Sequence, residues 1–150
     1  MPEHKVILIK DPTIIQKHWY SIKPLVVGGS NALARGVEAF AVNVLEALLT
    51  DTMQLWVIMQ DEQIAGIAVT STCTHKFTGN TFLMIDVLQT LTDLPPEAWK
   101  SLLDNLEGFA RDNSCVEMLT YVTTETMAAF TQITGFSDNV HLMHKEVTYG

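Results

Sequence analysis

The sequence predicts an α/β fold of the α+β kind: one mixed, mostly antiparallel sheet with a single parallel strand-helix-strand crossover and helices on both faces. Three observations carry that expectation. Residues 82–91 and 116–123 are mostly apolar runs of strand length. Between them Trp99, Leu102, Leu103, Leu106 and Ala110 recur at helical spacing. Two strands joined through such a helix lie parallel, with a right-handed connection. Upstream, residues 55–60 and 63–74 flank a tight turn at Asp61 and Glu62, and with the run starting near Thr81 they form a three-strand meander.

Taken in order, residues 6–9 are a short apolar run and a first strand. Asp11 and Pro12 open a helix as N-cap and first helical residue, with Ile14, Ile15, His18 and Trp19 on its inner side. It should end near Ile22, because Pro24 and the Gly28-Gly29-Ser30 run interrupt the pattern. Ser30 or Asn31 can cap a second helix over residues 31–49, whose stripe is Leu33, Val37, Phe40, Ala41, Val44, Leu45 and Leu48. Gly66, inside a strand, marks a bulge or a close approach of another backbone. Pro95 and Pro96 with Glu97 are a helix-start signal, and that helix should end near Asn113. A short helix over residues 124–134 carries Met127, Phe130 and Ile133 on one side and stops at Gly135. Residues 140–148 are a last strand. No repeat, low-complexity tract or linker divides the chain, so its 150 residues read as one domain.

Composition narrows the function classes. A hydrophobic fraction of 47% with 17% charged residues describes a folded globular chain. The net charge of −8 and nine scattered Lys and Arg argue against nucleic acid or an anionic membrane as partner. Cys73 and Cys115 are isolated and read as reduced, buried thiols. No apolar run reaches membrane-spanning length, and residues 1–5 lack the apolar core of a signal peptide. A cytoplasmic protein is expected. His141 and His144 fall on opposite faces of a strand, and His4, His18 and His75 have no ligand-spaced neighbours, so no metal is expected. Ser71, Ser101 and Ser114 lack the context of a nucleophile elbow. The methionines read as core fillers, and Trp19, Trp56 and Trp99 as core or interface anchors.

The element order, together with TETMAAFTQITGF over residues 124–136, resembles the GNAT superfamily of N-acetyltransferases. The penultimate helix of that family commonly ends in a Gly-Phe pair before the last strand; here the pair is Gly135 and Phe136. The resemblance covers nearly the whole chain and implies the GNAT fold, acetyl-CoA as cofactor and an amine as acceptor. It puts the coenzyme at the start of the crossover helix, against a loop of the form Gln/Arg-x-x-Gly-x-Gly/Ala. Backbone amides must approach the pyrophosphate there, and side chains at the glycine positions block them. With Leu102 and Leu103 on the family's leucine pair, Leu94 takes the Gln/Arg position and Glu97 and Trp99 the glycine positions. Leu88, Leu94, Glu97, Trp99 and Lys100 are then the cofactor-facing residues. No glycine occurs between Gly79 and Gly108, so the departure does not depend on register. Pro95 and Pro96 remove two amide donors, and Glu97 puts a negative charge where the helix dipole would attract an anion.

The catalytic residues that the resemblance implies are also altered. Thr131 stands where many members carry the tyrosine that protonates the departing thiolate, with Tyr121 as a substitute. Asp86 is the one acid inside the first strand of the crossover and the candidate base. Two function classes follow: an acetyl-CoA-dependent N-acetyltransferase with a degenerate site, or a noncatalytic component of a larger assembly, homo-oligomeric or mixed. The Trp99 to Leu106 and Gly135-Phe136 regions also resemble a small GNAT-like internal virion protein of tailed phages related to T7, which implies a virion location for a phage-encoded chain.

Overall fold

The computed structural model describes residues 3–29 and 36–138, together with 143, 145 and 147–149. Nine elements follow one another: β1 (His4–Ile9), α1 (Pro12–Gly28), α2 (Val37–Leu49), β2 (Gln54–Gln60), β3 (Gln63–Thr74), β4 (Thr81–Thr90), α3 (Pro96–Asp112), β5 (Cys115–Thr120) and α4 (Glu125–Thr134). The strands form one sheet in the order β1-β2-β3-β4-β5, antiparallel except for the parallel β4–β5 pair that brackets α3. The predicted meander and crossover are both present.

Strand alternation divides the core into two layers. Trp56, Ile58, Ala68, Leu83, Ile85 and Leu88 pack under α3 and α4, against Trp99, Leu102, Leu106, Met127 and Phe130. Leu55, Val57, Ile67, Val69 and Val87 face the other way, against Ile15, Ile22, Leu25, Val26, Val44 and Leu48 of α1 and α2. Each layer removes side chains worth about 1.5–3 kcal/mol apiece from water. One polar chain runs through the α3 layer: Trp56 Nε1 donates to Thr70 Oγ1 at 2.9 Å, and Thr70 Oγ1 donates to Gln54 Oε1 at 2.9 Å. Both partners of each bond are buried, so neither can turn to water.

Several local expectations are corrected. The Asp11 carboxylate accepts from the Thr13 N–H at 2.9 Å as an N-cap, but α1 continues through Pro24 to Gly28. The acceptor that Pro24 leaves without its helical N–H is the carbonyl of Tyr20, a residue 92% exposed. Strand β5 ends at Thr120 rather than Thr123. In α4 the inward residues are Met127, Phe130 and Thr131, while Ile133 is 38% exposed. The expected start and caps of the second helix fall on residues 30–35, outside the described residues, and so does most of the strand expected over 140–148, with His141 and His144. No helix is long and apolar enough to cross a membrane among the described residues.

Candidate functional site

The site begins with a break in strand register. Thr70 pairs with Ile85, and the next residue back on β3, Val69, pairs with Val87. Asp86 is therefore an unpaired extra residue in β4, a β-bulge. Its carboxylate turns toward β3 on the α1–α2 face, where Ser71 Oγ donates to Asp86 Oδ2 at 2.7 Å. Burial pushes the Asp86 carboxyl above its usual value, and the Ser71 hydrogen bond opposes that rise without cancelling it. Cys73 Sγ lies 3.8 Å from Ser71 Oγ, which extends the row of small polar groups along β3. Cys73 and Cys115 are both free and half-buried.

The second feature is a slot. The parallel ladder between β4 and β5 ends at Ile85 opposite Thr120, while β4 continues to Thr90. Thr120 Oγ1 donates to the Ile85 carbonyl at 3.0 Å and closes the ladder in place of a further strand N–H. Beyond that point the β5-facing edge of β4 has no strand beside it among the described residues. Val87 and Leu88 beyond it are buried through their side chains, which point into the α1–α2 and α3–α4 layers respectively.

The third feature is the start of α3. Pro95 is the N-cap, makes no side-chain capping bond, and Pro96 is the first helical residue. The Pro95 carbonyl accepts from the Ala98 N–H at 3.0 Å and from the Trp99 N–H at 3.4 Å, so both amides point into the helix. Of the residues at this end, only Glu97 keeps an outward N–H, and it carries the carboxylate. An anion meets one amide here instead of several.

These features separate the residues singled out from the sequence. Leu88, Leu94 and Trp99 are 1%, 8% and 3% exposed and belong to the apolar cluster under α3 and α4. Glu97 and Lys100 are exposed. Tyr121 is half-buried and follows Thr120, as Asp86 follows Ile85, so the two leave the last rung of the ladder together. Thr131 is buried, and its Oγ1 donates to the Ala128 carbonyl at 3.1 Å within its own helix. Asp86 and Thr131 lie in opposite layers of the sheet. A hollow of about 340 Å³ lies beside α3, β5 and the end of α4, lined by Leu103, Glu107, Glu117, Met118 and Phe136 among others, and includes none of the candidate residues. Sequence reasoning missed Ser71 as the partner of Asp86, because that contact depends on a bulge. Among the described residues no group of acidic, His or Cys side chains could hold a metal ion.

No family profile and no curated protein matches the sequence. Solved structures do match along nearly its whole length. A predicted acetyltransferase of Clostridium acetobutylicum, determined with acetyl-CoA, is 16% identical with a TM-score of 0.68, covering 97% of this chain and 96% of that one. An aminoglycoside acetyltransferase from an uncultured soil metagenomic sample, in complex with sisomicin, is 14% identical with a TM-score of 0.69, covering 98% and 97%. A GNAT family acetyltransferase of Staphylococcus aureus is 11% identical with a TM-score of 0.67, covering 98% and 100%. The chain has the fold of the GNAT acetyltransferases.

Proposed function

We propose, starting from that fold, that this protein is an N-acetyltransferase-type protein with a degenerate coenzyme site, which binds acetyl-CoA weakly or not at all. The observation that carries this reading is the start of α3. Two prolines, an inward-turned pair of amides and an exposed carboxylate occupy the place where an anion-binding helix end presents N–H groups. The burial of Leu88, Leu94 and Trp99 in the core supports it, since three of the five cofactor-facing positions have no surface to offer. A protein of this kind acts as a noncatalytic component of a larger assembly. Apolar side chains exposed at Tyr20, Phe77, Leu91, Val116 and Val122 give it surface to bury against other chains. Calorimetric titration with acetyl-CoA tests the reading. Absence of heat at millimolar ligand is the expected result, and micromolar binding overturns it.

A second reading keeps acetyl transfer to an amine, and Asp86 favours it. A half-buried carboxylate with a raised pKa, on a bulge and hydrogen-bonded to Ser71, suits proton removal from an ammonium group. The freed amine would attack the thioester carbonyl, the C–S bond would break, and the departing thiolate would take a proton. Tyr121 suits that last role better than Thr131, whose hydroxyl proton is committed to the Ala128 carbonyl. Acetyl-CoA consumption with a panel of polyamines and aminoglycosides, abolished in Asp86→Asn, is the result this reading requires.

A further inference from the structure

Gln89 is a half-buried polar residue near the end of β4. It lies on β4 four residues past the last rung of the parallel ladder. Its stem rests on the end of α1: a Cβ placed on Gly29 would come within 2.8 Å of Gln89 Cβ and 2.8 Å of the Leu88 carbonyl oxygen. A Cβ on Gly28 would come within 3.0 Å of Gln89 Nε2. At the far end of the same side chain, Gln89 Oε1 accepts from Thr126 Oγ1 of α4 at 3.4 Å. Helix α1 covers one face of the sheet and α4 packs with α3 on the other. A single β4 side chain touches both layers only by passing around the strand's unpaired edge, and that path crosses the slot between β4 and β5.

We infer that Gln89 is a latch: it bridges the glycine end of α1 to the first turn of α4 and holds the β4–β5 slot shut. Gly29 is part of the device, because a Cβ there would meet the Leu88 backbone and hold α1 away from Gln89. The hydrogen bond is long, beyond the usual 2.7–2.8 Å for a hydroxyl donor. The bridge is thus weak enough to open, and most of its hold comes from the stem packed on α1. A thin, extended ligand of the acyl-pantetheine type would have to displace the Gln89 amide to lie along β4. This rests on the degenerate-site reading only in sharing the slot; the α3 start governs pyrophosphate, whereas Gln89 governs the narrow chain.

Two measurements on the full chain test the latch. In Gln89→Ala, amide hydrogen exchange at residues 26–29 and 126–129 should quicken by roughly five- to tenfold, the scale of one lost hydrogen bond with its packing. Exchange in β2 and β3 should stay unchanged, and Gln89→Glu, which keeps both the stem against α1 and an acceptor for Thr126, should restore both helix ends. Titration with S-acetylpantetheine, which has no pyrophosphate, should show at least tenfold tighter binding to Gln89→Ala than to the unmodified protein. Unchanged exchange at both helix ends overturns the latch, as does faster exchange spread evenly through the core. Equal affinity of both proteins for S-acetylpantetheine overturns its role at the slot. Micromolar acetyl-CoA binding by the unmodified protein would sink the degenerate-site reading without touching the exchange result.

Discussion

Restoring the α3 start should restore anion binding in a graded way, and the grades can be worked out. A hydrogen bond from a backbone amide to a charged oxygen contributes about 1.5–3 kcal/mol. Pro95 and Pro96 remove two such donors, so their absence costs about 3–6 kcal/mol, or roughly a hundred- to ten-thousandfold in Kd. Glu97 adds repulsion of about 1 kcal/mol for two unit charges near 4 Å in water, close to fivefold. Glu97→Gly alone should therefore tighten acetyl-CoA binding less than tenfold. The combination of Pro95→Ala, Pro96→Ala and Glu97→Gly should tighten it at least a hundredfold. Titration calorimetry reads the affinities, and circular dichroism of each variant checks that α3 is intact. If Glu97→Gly by itself gains a hundredfold, charge rather than missing amides closes the site. If the triple variant gains nothing while folded, the start of α3 is not where the coenzyme phosphates would bind.

Other expectations concern stability. Asp86 has a raised pKa in the fold, so the native state holds its proton more tightly than the unfolded chain. Ionising it therefore erodes stability as pH climbs from the unfolded value of 3.8 through the folded one. Asp86→Asn should melt higher than the unmodified protein at neutral pH, with the gap closing as pH drops below 3.8; a gap independent of pH would contradict this. Gly66→Ala places a Cβ 2.8 Å from the Gln89 carbonyl oxygen and 2.9 Å from Thr90 Cγ2. It should lower stability by about 1–3 kcal/mol in urea titration, and a neutral result would show that β3 and β4 can separate there. Thr70→Val strands Trp56 Nε1 and Gln54 Oε1 in the core and should cost about 1–3 kcal/mol, visible as a lower Tm with altered tryptophan fluorescence.

The sequence was most legible where local chemistry and packing agree. The end of β2 and the start of β3 follow from the Asp61-Glu62 turn, where both residues have positive φ, and Gly66 marks the close approach of β4 one residue after the bulge at Ala65. The amphipathic pattern of α3 and its proline start are equally local. Misreadings arose where a distant partner decides. Pro24 looks like a terminator, but the carbonyl it orphans belongs to the exposed Tyr20, and α1 continues to Gly28. Residues 121–123 look like strand, yet Thr120 spends its hydroxyl on the Ile85 carbonyl and the ladder stops. Ile133 looks like core, while Thr131 takes the inward place because its hydroxyl is satisfied within the helix. Asp86 could be picked out as the lone acid of its strand. Its environment could not, because Ser71 is fifteen residues away and meets it only through the bulge.

That extra residue in β4 has an unusual corollary for genetic dissection. In a regularly paired stretch of strand, removing one amino acid would invert the phase of everything downstream and throw core side chains into the solvent. At position 86 the count is already one too many, so excising Asp86 would leave Leu83, Ile85, Val87 and Leu88 each on its present side. A deletion, ordinarily the harshest lesion a strand can suffer, becomes at this position a gentle way to remove one carboxylate.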